Sequence, residues 1–282
     1  LSAWDVSNVT NMESMFSSAW NFNQDLSAWD VSNVTTMSYM FSWGSGFNQD
    51  LSTWDVSNVT TMENMFYYGS FNQDLSAWDV SNVRNMSAMF ASSPFNQDLS
   101  AWDVSNVTSM VGMFSYASSF NQDLSSWDVS NVTSMGGMFN SANTFNQDLS
   151  AWDVSNVTNM SGMFMSDMFI ESSFNQDLSS WDVSNVTNMR EMFSNASSFN
   201  QKLNAWDVSS VTDMSYMFEE AYRFNGDLSA WDVSNVTTMN SMFNYAGKFN
   251  QDLSAWDVSN VIQMNYFSSN TSDWTLPKPN FN

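Results

Sequence analysis

Aspartate recurs through this chain in two columns. The first is Asp5, Asp30, Asp55, Asp79, Asp103, Asp128, Asp153, Asp182, Asp207, Asp232 and Asp257, with steps of 24 or 25 residues and one of 29. A regular row of carboxylates could coordinate hard cations, with calcium, which takes oxygen ligands, the natural choice. It could equally accept hydrogen bonds from the serine two residues on, through hydroxyl and backbone amide, both of which favour the ionised form. Stacked about 4.8 Å apart, neighbouring carboxylates would repel by ~1 kcal/mol in water and several times more at low dielectric, so one of these reliefs is required. The spacing of an acidic calcium loop is missing, which makes hydrogen bonding the expected relief and calcium the alternative. The second column is Asp25, Asp50, Asp74, Asp98, Asp123, Asp148, Asp177, Asp227 and Asp252, with Lys202 interrupting it. A cation ladder would reject a lysine, so this column reads as a turn device, where aspartate is favoured.

The other chemistry-bearing types are distributed differently. His and Cys are absent, which removes thiol chemistry, disulfides and imidazole ligands. No unique acid–base constellation stands out, so no catalytic site is predicted. Eight copies read Asn-Val-Thr, a glycosylation sequon. Asn8 and its counterparts are expected to face inward at a turn and, with the Asn23 column, to satisfy backbone groups there. Two methionine columns, of the Met12 and Met15 type, hold 21 of the 23 methionines, and their spacing points to core. Met165, Asp167, Met168, Phe169, Ile170 and Glu171 differ, because they lie in the longest loop. Two readings are open: a staple folded back on the body, or an apolar contact flanked by Asp167 and Glu171. The contact reading makes this loop the candidate partner site, or a contact with a neighbouring chain. Trp43, Tyr67 and Tyr68 decorate the same edge, and aromatic residues are enriched at binding surfaces.

What positions these residues is a repeat. The string Trp-Asp-Val-Ser-Asn-Val-Thr starts at Trp4 and returns, nearly unchanged, ten more times up to Trp256. Self-similarity at such a period signals a stacked array. Within a copy, Trp4 and Val6 alternate with polar residues, which predicts a short strand. Met12, Met15 and Phe16 at i, i+3 and i+4 predict a short helix or helical turn, capped by Thr10. Gly136-Gly137 in that segment weakens a helix in some copies. The expected fold is a right-handed solenoid of eleven coils over residues 1–267, each with one parallel strand and one helical turn. Residues 268–282 are expected to be a cap or the start of a linker. Loop length varies between the Phe16-type and Phe22-type positions, so that is the tolerant edge. The chain opens at Leu1 inside a repeat and without Met, so more sequence is expected before it.

With 29 acidic against six basic residues, the net charge is −23. This excludes nucleic-acid backbones and anionic membranes as electrostatic partners. No apolar run is long enough to enter a bilayer as a helix.

The longer string Phe-Asn-Gln-Asp-Leu-Ser-x-Trp-Asp-Val-Ser-Asn-Val-Thr-x-Met-x-x-Met-Phe resembles the BspA-like leucine-rich-repeat surface proteins, whose repeats also occur in mycoplasma-type lipoproteins. The resemblance extends from Leu1 to about Phe267. It implies a secreted or surface-displayed, non-catalytic binding or scaffold module without a cofactor, engaging a protein or glycan in adhesion or assembly. A flat array ordering cations, or water as ice-binding surfaces do, is the alternative.

Overall fold

A computed structural model describes residues 1, 4–168 and 170–281. Among these residues no helix forms, and the β-structure consists of isolated parallel bridges. The bridges run Asn11–Thr36, Thr36–Thr61, Thr61–Asn85 and onward to Thr238–Gln263, so each copy pairs with the next in the sequence. The bridging residue stands five positions beyond Val6, outside the predicted Trp–Val strand. The Trp–Val stretch itself is flanked by four-residue turns, with the Trp29 amide donating to the Leu26 carbonyl (3.0 Å) and that of Val34 to Val31 (2.9 Å).

The predicted helical turn is replaced by successive turns. In the first copy the amides of Met15, Ser17 and Ala19 donate to the carbonyls of Met12, Ser14 and Phe16. The alternate amides, of Met12, Ser14, Phe16 and Ser18, donate instead to Thr36, Ser38, Met40 and Ser42 in the next copy, at 2.8–3.1 Å. A helix would spend all of these amides on its own carbonyls and leave none for the neighbour. Apolar residues at i, i+3 and i+4 suit both arrangements, and the cross-copy bonds decide for turns.

Among the described residues the seventh copy, which carries the long loop, has one residue, Gly162, in the left-handed conformation that a type II turn requires at its third position, and every other copy has two. They are Ser14 (φ 57°) and Ser18 (φ 59°) in the first copy. The Ser14 column continues as Tyr39, Asn64, Ala88, Gly112, Gly137, Gly162, Glu191, Tyr216, Ser241 and Tyr266, all at positive φ. The Gly136-Gly137 pair is thereby explained, since Gly137 takes the strained corner. Thr10 is not a helix cap. Its column runs along the stack, Thr35 donating its hydroxyl to the Thr10 carbonyl (3.1 Å). The turn cap is the next residue, as where Asn11 accepts from the Glu13 amide (2.7 Å).

Burial comes from neighbours. Trp4, in the first copy, is 56% exposed, whereas Trp54, in the same local sequence, is 3% exposed between two copies. The core is a set of ladders of identical side chains. The Phe16-type rings stack at 5.6–5.8 Å between centroids from Phe16 to Phe243. Each also stacks on its own Phe22-type partner, as Phe41 does on Phe47 at 4.0 Å. Each such buried side chain contributes roughly 1.5–3 kcal/mol. The indole N–H, which needs a partner when buried, donates to the leucine carbonyl of the preceding copy, Trp127 to Leu99 at 3.0 Å for example.

The segment after Phe267 extends these ladders. Trp274 is buried edge-on against Phe243 and Phe249. The Thr275 amide donates to the Asn250 side chain (2.9 Å), as the Asn250 amide does to Asn225. The Leu253 amide donates to the Pro277 carbonyl (3.0 Å).

The left-handed corner makes a direct prediction. A Cβ at Gly137 would meet nothing nearer than Asn140 at 3.9 Å, so Gly137→Ala tests backbone strain alone. It should destabilise the chain by about 1 kcal/mol, while Ala88→Gly, at the matching corner, should be neutral or stabilising. Denaturant midpoints of the two variants against the parent measure both signs.

Candidate functional site

Both aspartate columns lie on the surface with their carboxylates engaged. In the first, the Ser7 amide (3.1 Å) and hydroxyl (2.6 Å) donate to Asp5 Oδ1, and the amide bond recurs down the column to Ser259 and Asp257. In the second, the Ser27 amide donates to Asp25 Oδ1 (2.9 Å), and this recurs to Ser254 and Asp252. The serine hydroxyl, then the serine amide, holds Asp5, Asp30, Asp55, Asp103, Asp153, Asp182, Asp232 and Asp257 below the ordinary aspartate range. For Asp25, Asp50, Asp98, Asp148, Asp177 and Asp227 the direction is the same and the amide contributes most. Desolvation and, at Asp30, Asp50, Asp55, Asp177, Asp182 and Asp257, the adjacent aspartate oppose the shift. Among the described residues no group of three or more acidic side chains converges on a metal-sized site.

The asparagine columns do satisfy backbone groups, but they do not face inward. Asn33 is exposed, and its side-chain amide donates to the Ser7 carbonyl of the preceding copy (2.8 Å). Asn23 Oδ1 accepts from the Asn48 amide and from Gln49 Nε2, each at 3.0 Å. The sequon nitrogens from Asn33 onward are therefore tied into cross-copy bonds.

The varying positions gather on the turn edge, in two places. The first brings together Trp43, Tyr67 and Tyr68. Trp43 lies 4.4 Å from Tyr68 and 5.6 Å from Tyr67 between ring centroids, and Trp20 joins at 6.2 Å. The second is the long loop, which the structure places apart from these aromatics, four copies further on. Its feet are fixed: the Ser166 hydroxyl donates to Asn143 Oδ1 (2.6 Å), and the Ser173 amide to the Asn143 carbonyl (2.9 Å). A bond from the Ile170 amide to the Asp167 carbonyl closes the tip (3.0 Å). Met168 is 59% and Ile170 53% exposed. Phe169 lies outside the described residues.

The loop also walls a cleft of about 560 Å³. Met165, Asp167 and Met168 form one side; the turn edges of the next two copies supply Arg190, Glu191, Tyr216, Glu219 and Glu220, with Tyr116 at the rim. A smaller hollow of about 180 Å³ adjoins it, lined by Asp167, Met168, Ile170, Glu171 and Tyr222 among others. Arg190 donates to Glu191 Oε1 (2.7 Å), and its guanidinium carbon lies 4.6 Å from the centroid of the Tyr216 ring. Burial, above all, raises the Glu219 carboxyl above the ordinary glutamate range, against a bond from Asn244 (3.0 Å). Glu191, Tyr216, Glu219, Glu220 and Arg190 were not identifiable as site residues from loop length. The available signal was the run of charged and aromatic residues, Arg190-Glu191, Tyr216 and Glu219-Glu220, at turn positions of two successive copies.

Comparison with known proteins finds one family model, described as "Mycoplasma protein of unknown function, DUF285", which matches residues 1–94, 69–168 and 164–278. No curated protein and no solved structure matches the chain.

Two outcomes follow from the carboxylate geometry. The ladder aspartates named above with lowered pKa titrate lower when folded than when unfolded, so their stabilisation is fully present above the unfolded aspartate pKa of about 3.9 and is lost as pH falls through the lower folded values. Melting temperature measured against pH should therefore drop below about pH 4, and serine-to-alanine changes at Ser105 and Ser155 should flatten that drop. Calorimetry with calcium chloride should give no saturable heat, because among the described residues no three acidic side chains converge on one site; a stoichiometric signal would restore the cation reading.

Proposed function

The chain belongs to the mycoplasma repeat family of unknown function DUF285, and from that premise we propose that it is a non-catalytic binding or scaffold module at a cell surface or outside the cell. Its architecture in this reading is a right-handed solenoid of stacked copies, with residues 268–281 covering the last one. The finer resemblance, to BspA-like surface repeats, supports display and adhesion. The partner is a protein or glycan, gripped along the turn edge by many weak contacts that add up.

The observation that carries the reading is the contrast between columns and edge. The uniform positions spend their polar groups on each other, Asp on Ser, Asn on carbonyl and Trp on carbonyl. What remains for recognition is the variable edge, where Met168, Ile170, Trp43 and Tyr68 are exposed. The same contrast argues against an array that orders cations or water, whose working surface would have to be the uniform columns. No helix among the described residues is long and apolar enough to cross a membrane.

Removing four residues from the 165–171 loop tests the reading. The trimmed chain should melt within a few degrees of the parent, because the Ser173-to-Asn143 anchor can be rebuilt at the usual loop length. Its capture by intact cells or extracellular matrix, measured by surface-binding assay, should fall severalfold. Unchanged capture with a large loss of melting temperature would make the loop a staple and remove it from the site.

A further inference from the structure

Twenty of the 29 acidic residues belong to the two ladders and are engaged by serine. Of the nine that remain, Asp167, Glu171, Glu191, Glu219 and Glu220 line the cleft and the hollow beside the inserted loop. The others are spread along the stack. Glu63 takes hydrogen bonds from Tyr39 and Asn85, Asp213 caps a turn through the Ser215 amide, and Asp273 pairs with Lys248. The acids that the fold does not use in its ladders are thus concentrated at the place where the turn edge becomes concave.

The cleft is more than an acidic patch. Its walls carry Tyr116 and Tyr216, and Met168 forms an apolar lip. Two of its carboxylates are fixed from behind, Glu219 by Asn244 (3.0 Å) and Glu220 by the Tyr222 hydroxyl (2.9 Å). A carboxylate offers about four acceptor sites, so one held bond orients it without exhausting it. The cleft also already displays how it treats a guanidinium: Arg190 sits over the Tyr216 ring and donates to Glu191. A planar donor fork above an aromatic face with a carboxylate at its edge is the arrangement arginine favours. Arg190 supplies one positive charge against Asp167, Glu191, Glu219 and Glu220, which leaves the cleft strongly electronegative within a chain of net charge −23. Burial also disfavours ionised Glu219, a penalty that an incoming cation would relieve.

We propose that the cleft between the 165–171 loop and the following turn edges receives an arginine side chain from a basic segment of a partner protein, held against Tyr216 and the Glu219–Glu220 pair with Met168 over its aliphatic stem. This rests on the reading of the chain as a binding module and specifies the chemistry of its partner.

The test titrates the whole chain with a blocked peptide, Gly-Arg-Gly-Arg-Gly, and with its citrulline counterpart, which keeps the shape and loses the charge, at about 150 mM salt so that long-range attraction is screened. Two double variants with equal charge change separate the cleft from the general field: Glu219→Gln with Glu220→Gln, and Glu13→Gln with Glu63→Gln. The first should weaken the arginine peptide about tenfold, the second less than about twofold, and the citrulline peptide should not bind. Asp167→Asn, on the loop itself, should also weaken binding and guards against a folding defect in the first pair. Equal weakening by both double variants would reduce the effect to net charge and overturn the proposal. So would equal binding of the citrulline peptide, or saturable binding of a neutral oligosaccharide in the cleft in place of the arginine peptide. Should the peptide arms fail while loop trimming still abolishes capture by cells, the binding-module reading stands and the arginine assignment alone falls.

Discussion

The structure depends on the direction of alternate backbone amides in the segment of the Met12 type. The amides of Met12, Ser14, Phe16 and Ser18 reach forward to the next copy, while those between them close turns at home. That division forces a left-handed residue at every fourth position, at Ser14 and Ser18 and their counterparts. The conformation costs an ordinary residue on the order of 1 kcal/mol, and eight of the eleven copies bear it twice, glycine taking the first corner in the other three. Aromatic stacking and side-chain burial between copies offset that cost, since the same amide row that strains the backbone brings identical side chains face to face.

Polar side chains do the work that a continuous sheet would do elsewhere. Between the bridges, neighbouring copies are joined by indole to carbonyl, asparagine amide to carbonyl, threonine hydroxyl to carbonyl and glutamine amide to asparagine. Each needs one residue type at one position, because donor reach and shape must match the copy before it. The near-identity of the copies is therefore a structural requirement. The aspartates are the clearest case: their charge invites a cation reading, yet their oxygens accept from serine two residues away.

Variation is left to the edge, where side chains point away from the stack and stacking imposes no identity. There the chain collects Trp20, Trp43, Tyr67 and Tyr68 over its first three copies, and the inserted loop with its acidic, tyrosine-lined cleft beyond the seventh. The loop is anchored at Ser166 and Ser173 and exposed at Met168 and Ile170, a combination that presents apolar surface without loosening the copies beneath it.

The sequence by itself determined the repeat, its core columns and the edge that tolerates change, because a period repeated eleven times marks buried positions by identity and exposed ones by variation. It also identified serine as the partner of the aspartates, a bond spanning two residues that local geometry can deliver. The local conformation was beyond it. Met12, Met15 and Phe16 have a spacing that suits a helix and a run of turns alike, and the choice fell to hydrogen bonds between residues about 25 apart, such as Ser14 to Ser38. The cleft was equally hidden, since Asp167, Glu191 and Glu219 belong to three copies and become neighbours only when those copies stack. Asn33 was misread as inward-facing for the same reason: its partner, the Ser7 carbonyl, is supplied by the preceding copy at the surface.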